Sequence, residues 1–92
     1  MGAVNKRRDR HDIVAEILDY ARGAKIKTHI MYRARLSYSQ IEEYLPLLVK
    51  KGFIENMTIK RRKQTHKMYR TTEKGIEFLN RLESMNKLWT HE

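Results

Sequence analysis

Apolar residues recur at Ile13, Val14, Ile17, Leu18 and Ala21, the i, i+1, i+4, i+5, i+8 spacing that lines one face of an α-helix. This spacing predicts a first helix from Arg8 to Gly23, where a glycine can turn the chain left-handed without steric cost. Thr28 is expected to cap a second, short helix reaching about Ala34, with Ile30, Met31 and Ala34 inward and Leu36 a buried turn residue. Ser37, followed three positions later by Gln40, has the form of a capping box, in which each side chain satisfies a backbone amide that the helix leaves unpaired. A third helix then runs to about Lys51, before Gly52, with Ile41, Tyr44, Leu45, Leu48 and Val49 as its inward stripe. Pro46 interrupts it at a cost of roughly 3 kcal/mol. The stripe stays in phase across the proline, so one kinked helix is expected.

Phe53 to Ile59 and Lys67 to Thr71 have strand character. Between them lies a basic stretch without Gly or Pro, which signals a longer loop rather than a two-residue turn. Thr72 is placed to cap a last helix to about Trp89, and Glu73 in its first turn suits the helix dipole. An isolated hairpin is marginal in water, so this one must lie against the helices. Three helices with an attached hairpin make an α+β, mainly α fold, a helix-turn-helix with a wing. Residues 1–72 are expected to form that unit with a basic N-terminal arm, and residues 73–92 a C-terminal helix for dimerisation whose first turns, with Ile76 and Phe78 or Leu79, can pack onto the domain.

The chain has 92 residues, enough for one domain with a small core. It has no cysteine, and His11, His29, His66 and His91 are scattered, so neither a disulfide nor a metal site is expected. There is no Gly-rich phosphate loop and no nucleophile–base spacing, so neither catalysis nor a cofactor is expected. The longest apolar run, Leu47 to Val49, is far too short to span a membrane, and the basic N-terminus has no apolar segment behind it. The protein is expected to be soluble and cytoplasmic.

Charge changes the picture most. The chain carries 20 Lys and Arg against 11 Asp and Glu, a net charge of +9, which favours a polyanionic partner. The segment "TIKRRKQTHKMYR" concentrates Lys60, Arg61, Arg62, Lys63, Lys67 and Arg70 with no acidic residue, and Gln64, Thr65 and His66 add neutral hydrogen-bonding groups. Such a wing tip would lie on a phosphate backbone and displace condensed counterions. Lys6, Arg7, Arg8 and Arg10 repeat the theme in the arm, and Lys25, Lys27, Arg33 and Arg35 do so around the second helix. The third helix, as recognition helix, offers Tyr38, Ser39, Gln40, Glu43 and Lys50 outward. It has no arginine, the commonest reader of guanine, so direct readout is expected to be modest. Glu43 would repel phosphates unless it accepts from a cytosine amino group.

The last helix repeats Phe78, Leu82, Met85 and Trp89 at i, i+4, i+7 and i+11, widened by Leu79, with Asn86 in the a/d seam Leu79–Leu82–Asn86–Trp89. Its later turns reach about 15 Å or more past its start, so Leu82, Met85 and Trp89 are expected to be exposed in a monomer. A stripe of this kind marks a partner surface, and a polar seam residue can fix its register.

The segments "YLPLLVKKGFIE" and "YRTTEKGIEFL", with Tyr44, Leu48, Gly52, Phe53 and Ile54, then Tyr69, Thr72, Gly75 and Phe78, resemble the small archaeal winged-helix DNA-binding proteins. The resemblance covers about residues 10 to 90. It implies a homodimer joined by an antiparallel coiled coil of C-terminal helices and bound to double-stranded DNA, as a transcriptional regulator or a chromatin-type protein. Two alternatives stand beside it: a winged helix docking on an acidic protein surface, and RNA binding, which the few exposed aromatics disfavour.

Overall fold

The computed structural model describes the backbone of residues 8–90 and the side chains of residues 8–85. The elements run α1 (Arg10–Tyr20), β1 (Lys25–Ile26), α2 (Lys27–Arg33), α3 (Tyr38–Lys50), β2 (Ile54–Arg61), β3 (Gln64–Thr71) and α4 (Glu73–Thr90). Helix α1 starts later than its apolar spacing suggests because Asp9 caps it. Asp9 Oδ1 accepts from the Asp12 amide at 2.9 Å, and Asp12 Oδ2 accepts from the Asp9 amide at 3.2 Å. This is a capping box built from two aspartates, and such a cap is worth about 1 kcal/mol.

Thr28 does not cap α2. The helix begins at Lys27, and its N-cap, Ile26, makes no side-chain bond. The reason is β1, which periodicity cannot show in two residues: Lys25 pairs with Tyr69 and Ile26 with Met68, so a strand leads directly into the helix. Helix α3 does follow its capping box. Ser37 Oγ accepts from the Gln40 amide at 3.2 Å, Gln40 Oε1 accepts from the Ser37 amide at 2.9 Å, and the helix continues through Pro46.

Helices α2 and α3 end alike. After α3, the Gly52 amide donates to Val49 O and the Phe53 amide to Leu48 O, with Gly52 at φ 82°. After α2, the Arg35 amide donates to Tyr32 O and the Leu36 amide to Met31 O, with Arg35 at φ 55°. Both are Schellman closures, which satisfy helix-end carbonyls through one left-handed residue. The second places an arginine where glycine is the unstrained choice.

The expectation of a long basic loop is overturned. Strands β2 and β3 pair in register from Ile54↔Thr71 to Arg61↔Gln64, which leaves only Arg62 and Lys63 in the turn. A tight hairpin turn needs a positive φ, which glycine adopts most readily; here Arg62 adopts it, at 57°. The sheet order is β1-β3-β2, all antiparallel.

The core joins Ile17, Leu18, Ile30, Ile41, Leu45, Leu48, Ile54, Tyr69 and Leu79. Thr71 ties β3 to the end of α1: its amide donates to Ala21 O at 2.8 Å and its hydroxyl to Leu18 O at 2.7 Å. The first turns of helix α4 join this core through Leu79, with Phe78 packed against it. Thr72 Oγ1 accepts from the Gly75 amide at 3.0 Å and donates to Gly52 O at 2.6 Å, which caps α4 and pins it to the α3–β2 junction. Phe78 stacks on Phe53 with ring centroids 4.5 Å apart. Leu82, expected to be exposed, is buried at 8%. Helix α1 packs beside α4, a tertiary contact that the rise per residue along a single helix does not reveal.

Candidate nucleic-acid interface

Strand alternation sorts the hairpin into two faces, since directly opposed antiparallel residues share a face. One face carries the pairs Ile54–Thr71, Asn56–Tyr69, Thr58–Lys67 and Lys60–Thr65. At its base Ile54, Tyr69 and Thr71 are buried in the core, while from Thr58 outward this face is exposed. The other face carries Glu55–Arg70, Met57–Met68, Ile59–His66 and Arg61–Gln64. The last rung, Arg61–Gln64, lies five ladder positions beyond the buried Tyr69, about 17 Å at roughly 3.4 Å per residue.

Between the first face and α3 lies a cleft of about 400 Å³ lined by Lys27, Glu42, Leu45, Pro46, Val49, Lys50, Asn56, Lys67 and Tyr69. The tip has a concavity of its own, formed by Arg61, Arg62, Lys63, Gln64 and His66. Of the expected interface residues, the structure therefore brings Lys27, Lys50 and Lys67 together in the cleft and Arg61 to Gln64 with His66 at the tip. Tyr38 is 61% exposed, and Ser39, Gln40 and Glu43 are also exposed on α3.

The cations divide sharply by what they touch. Arg8 bonds Glu16 at 3.0 Å, Ala34 O at 2.6 Å and Arg35 O at 3.1 Å, so its guanidinium closes the end of α2. Lys25 donates to Tyr20 O and Gly23 O, closing the end of α1, and lies over the Tyr20 ring; Arg33 lies 5.3 Å from the same ring. Arg70 pairs with Glu55 directly across the ladder, Nε to Oε2 at 2.9 Å. Lys27 bonds Glu42. Among the described residues, Lys60, Arg61, Arg62, Lys63 and Lys67 take part in no ion pair. Arg7 lies outside the described residues.

Sequence reasoning missed Glu42 and Asn56. Glu42 sits four residues before Pro46 on the wing-facing flank of α3, whereas Glu43 lies on the other flank beside Arg10, Tyr44 and Leu47. The Glu42 carboxyl is held below its ordinary value, first by the hydrogen bond from Lys27, then by Tyr38 and by the charge of Lys67. Lys27 is correspondingly raised, chiefly by the same bond to Glu42. A helical wheel could have placed Glu42 beside Pro46, and strand alternation could have placed Asn56 in line with Thr58 and Lys60.

A family model described as winged helix-turn-helix matches residues 7–90. The chain belongs to the winged helix-turn-helix family. Within this fold α2 and α3 are the helix-turn-helix, and β2 and β3 are the wing. The crystal structure of Sso10a-2, a DNA-binding protein from Sulfolobus solfataricus, is similar, with a TM-score of 0.75 and 26% sequence identity over 91% of this chain and 84% of that one. No curated protein sequence matched the chain.

The residues expected to form a dimer seam separate along α4. Leu79 and Leu82 are buried in the winged helix-turn-helix core, and Phe78 is stacked on Phe53. Met85 is 56% exposed. The side chains of Asn86 and Trp89 lie outside the described residues.

Proposed function

We propose that the protein binds double-stranded DNA, chiefly through its wing, as a homodimer acting in transcriptional regulation or chromatin organisation with modest sequence specificity. The observation that carries this reading is the group Lys60, Arg61, Arg62, Lys63 and Lys67, exposed on the wing and outside every described ion pair. A wing kept cationic and projected beyond the core suits a phosphate backbone, where each neutralised phosphate releases counterions. The printed description of Sso10a-2 as DNA-binding supports the same partner. Arg8 and Lys25 play a smaller part here than their charge suggests, because their donors are spent on helix ends. No enzymatic step is proposed.

Helix α3 contributes position more than readout. Its exposed surface carries Glu42 and Glu43 as well as Lys50, and Gln40 has its carbonyl tied to the Ser37 amide, leaving its amino group to donate. Affinity therefore rests on the wing. The deciding measurement is fluorescence anisotropy with a labelled random-sequence duplex over a salt series. About four phosphates per bound subunit gives a log–log slope near −4 for each subunit. A nearly flat response, or preference for an acidic protein surface or single-stranded RNA over the duplex, would overturn this reading.

A further inference from the structure

We propose that Glu42 is a specificity-determining residue that accepts a hydrogen bond from the N4 amino group of a cytosine in the major groove. This inference rests on the DNA-binding reading above and gives α3 one point of base readout beside the phosphate contacts of the wing. Glu42 is exposed on α3 and lines that cleft with Lys27, Lys50, Asn56 and Lys67. Lys27 already partners this carboxylate inside the cleft, but an ionised carboxylate has about four lone-pair sites, so it can accept from a further donor that enters the cleft.

The chemistry of that donor is narrow. An ionised carboxylate only accepts hydrogen bonds. The hydrogen bond from Lys27, then that of Tyr38 and the charges of Lys27 and Lys67, favour the ionised form of Glu42. In the major groove, guanine presents N7 and O6 and thymine presents O4, all acceptors that would face the carboxylate lone pair to lone pair. Adenine presents a donor, but its N7 acceptor lies alongside. Cytosine offers the N4 amino group without a neighbouring acceptor of its own. Lys27 is bonded to one Glu42 oxygen, Oε2, and lies 5.1 Å from the Tyr38 ring. The carboxylate is thus anchored at Oε2, and its remaining lone pairs can accept a further bond. Lys50 and Lys67 on the cleft walls supply the positive charge that offsets the approach of a carboxylate to DNA.

The test is selection from random duplexes with the wild-type full chain, Glu42→Gln, and Glu77→Gln, which removes the same charge from an exposed position on α4. One position of the selected site should favour cytosine by about five-fold or more with the wild type and with Glu77→Gln. Glu42→Gln, able to donate as well as accept, should lose that preference or shift it toward adenine while binding random duplex at least as tightly. Thermal unfolding of the same proteins separates an alternative role: if Glu42 only fastens α2 to α3 through Lys27, the variant melts lower and selects the same site. Selection of a site without a cytosine preference by the wild type, or an unchanged preference in Glu42→Gln, would overturn the proposal. Failure of every duplex to bind would instead overturn the DNA-binding reading beneath it.

Discussion

Gly75 and Phe53 meet backbone to backbone: a Cβ on Gly75 would stand 2.2 Å from the Phe53 carbonyl oxygen and 2.7 Å from Thr71 Cγ2. That carbonyl already accepts the Thr72 amide at 3.0 Å, so the first turn of α4 is held against the entry to β2 with no room for a side chain. Alanine is the better helix former by about 1 kcal/mol, yet here the steric cost wins because the obstacle is backbone and cannot swing aside. Gly75→Ala should destabilise the fold by about 2 kcal/mol or more, the range of overpacked interiors. Urea unfolding followed by circular dichroism measures it; an unchanged midpoint would mean that α4 can shift its register on the sheet.

Arg35 and Arg62 share a left-handed backbone, at φ 55° and 57°, in different settings. Arg35 closes α2, and the bond it receives from Arg8 goes to its backbone carbonyl, which any residue would keep. Arg35→Gly should therefore stabilise the protein by about 0.5–1 kcal/mol, since glycine relieves the strain but has more freedom to lose on folding. Arg62→Gly should relieve the same strain at the hairpin turn and weaken DNA binding. Paired thermal melts and anisotropy titrations would show stability rising in both variants and affinity falling clearly only in the second.

These two arginines also show where the sequence was legible and where it was not. Helix spacing and the Ser37–Gln40 box read correctly because both are local, and the Gly52 stop read correctly because glycine advertises its conformation. The turn at Arg62 and Lys63 was invisible because nothing local marks it. The eight paired positions of β2 and β3 impose it, and an arginine tolerates the left-handed region at modest cost. Strand β1 was illegible for a similar reason, since two residues have no periodicity and Lys25–Ile26 is a strand only because β3 lies beside it. In the site, clustered wing charge was plain from composition. The distinction between engaged and unengaged cations was not, because Arg8 meets Arg35 O twenty-seven residues away and Lys27 meets Glu42 fifteen away.

The wing cations should act additively on salt dependence. Replacing Arg61, Arg62 and Lys63 together by alanine removes up to three phosphate contacts per subunit, which should flatten the log–log slope by about 2.7 per subunit. Because such contacts carry no base information, every duplex should weaken by a similar factor. The same substitutions should leave the melting temperature nearly unchanged, since all three side chains are exposed and outside the core. Loss of affinity for one sequence alone would show instead that the tip reads bases.

The Lys27–Glu42 pair gives the fold a pH signature with two edges. Glu42 has a lowered folded value, so its contribution is present above its unfolded value of about 4.3 and is lost as pH falls through the folded one. Lys27 has a raised folded value, so its contribution is present below about 10.4 and is lost as pH rises through the folded one. The contribution of the pair is therefore complete between those two unfolded values and fades beyond them as each folded value is passed. Glu42→Gln should unfold with a shallower loss of stability between about pH 5 and pH 3 than the wild type. Identical acid limbs in denaturant titrations across that range would show that the bond is not kept in solution.

A homodimer, if α4 builds it, must begin beyond Leu82. Leu79 is fully buried and Leu82 is 8% exposed in a single chain, so both serve the monomer fold first. Leu79→Ala should cost about 3 kcal/mol of unfolding free energy, as for other leucines cut back in a packed core. Met85 is the first large apolar side chain on α4 that its own domain leaves exposed, at 56%. Met85→Glu places a charge there without disturbing the core, so it should shift sedimentation equilibrium toward monomer while the unfolding midpoint of the isolated subunit holds. Monomer DNA binding should then persist with about half the salt slope of the dimer, because each wing keeps its own phosphate contacts. A wild-type chain that sediments as a monomer would remove α4 from any partner role and leave the wing as a single-subunit binder.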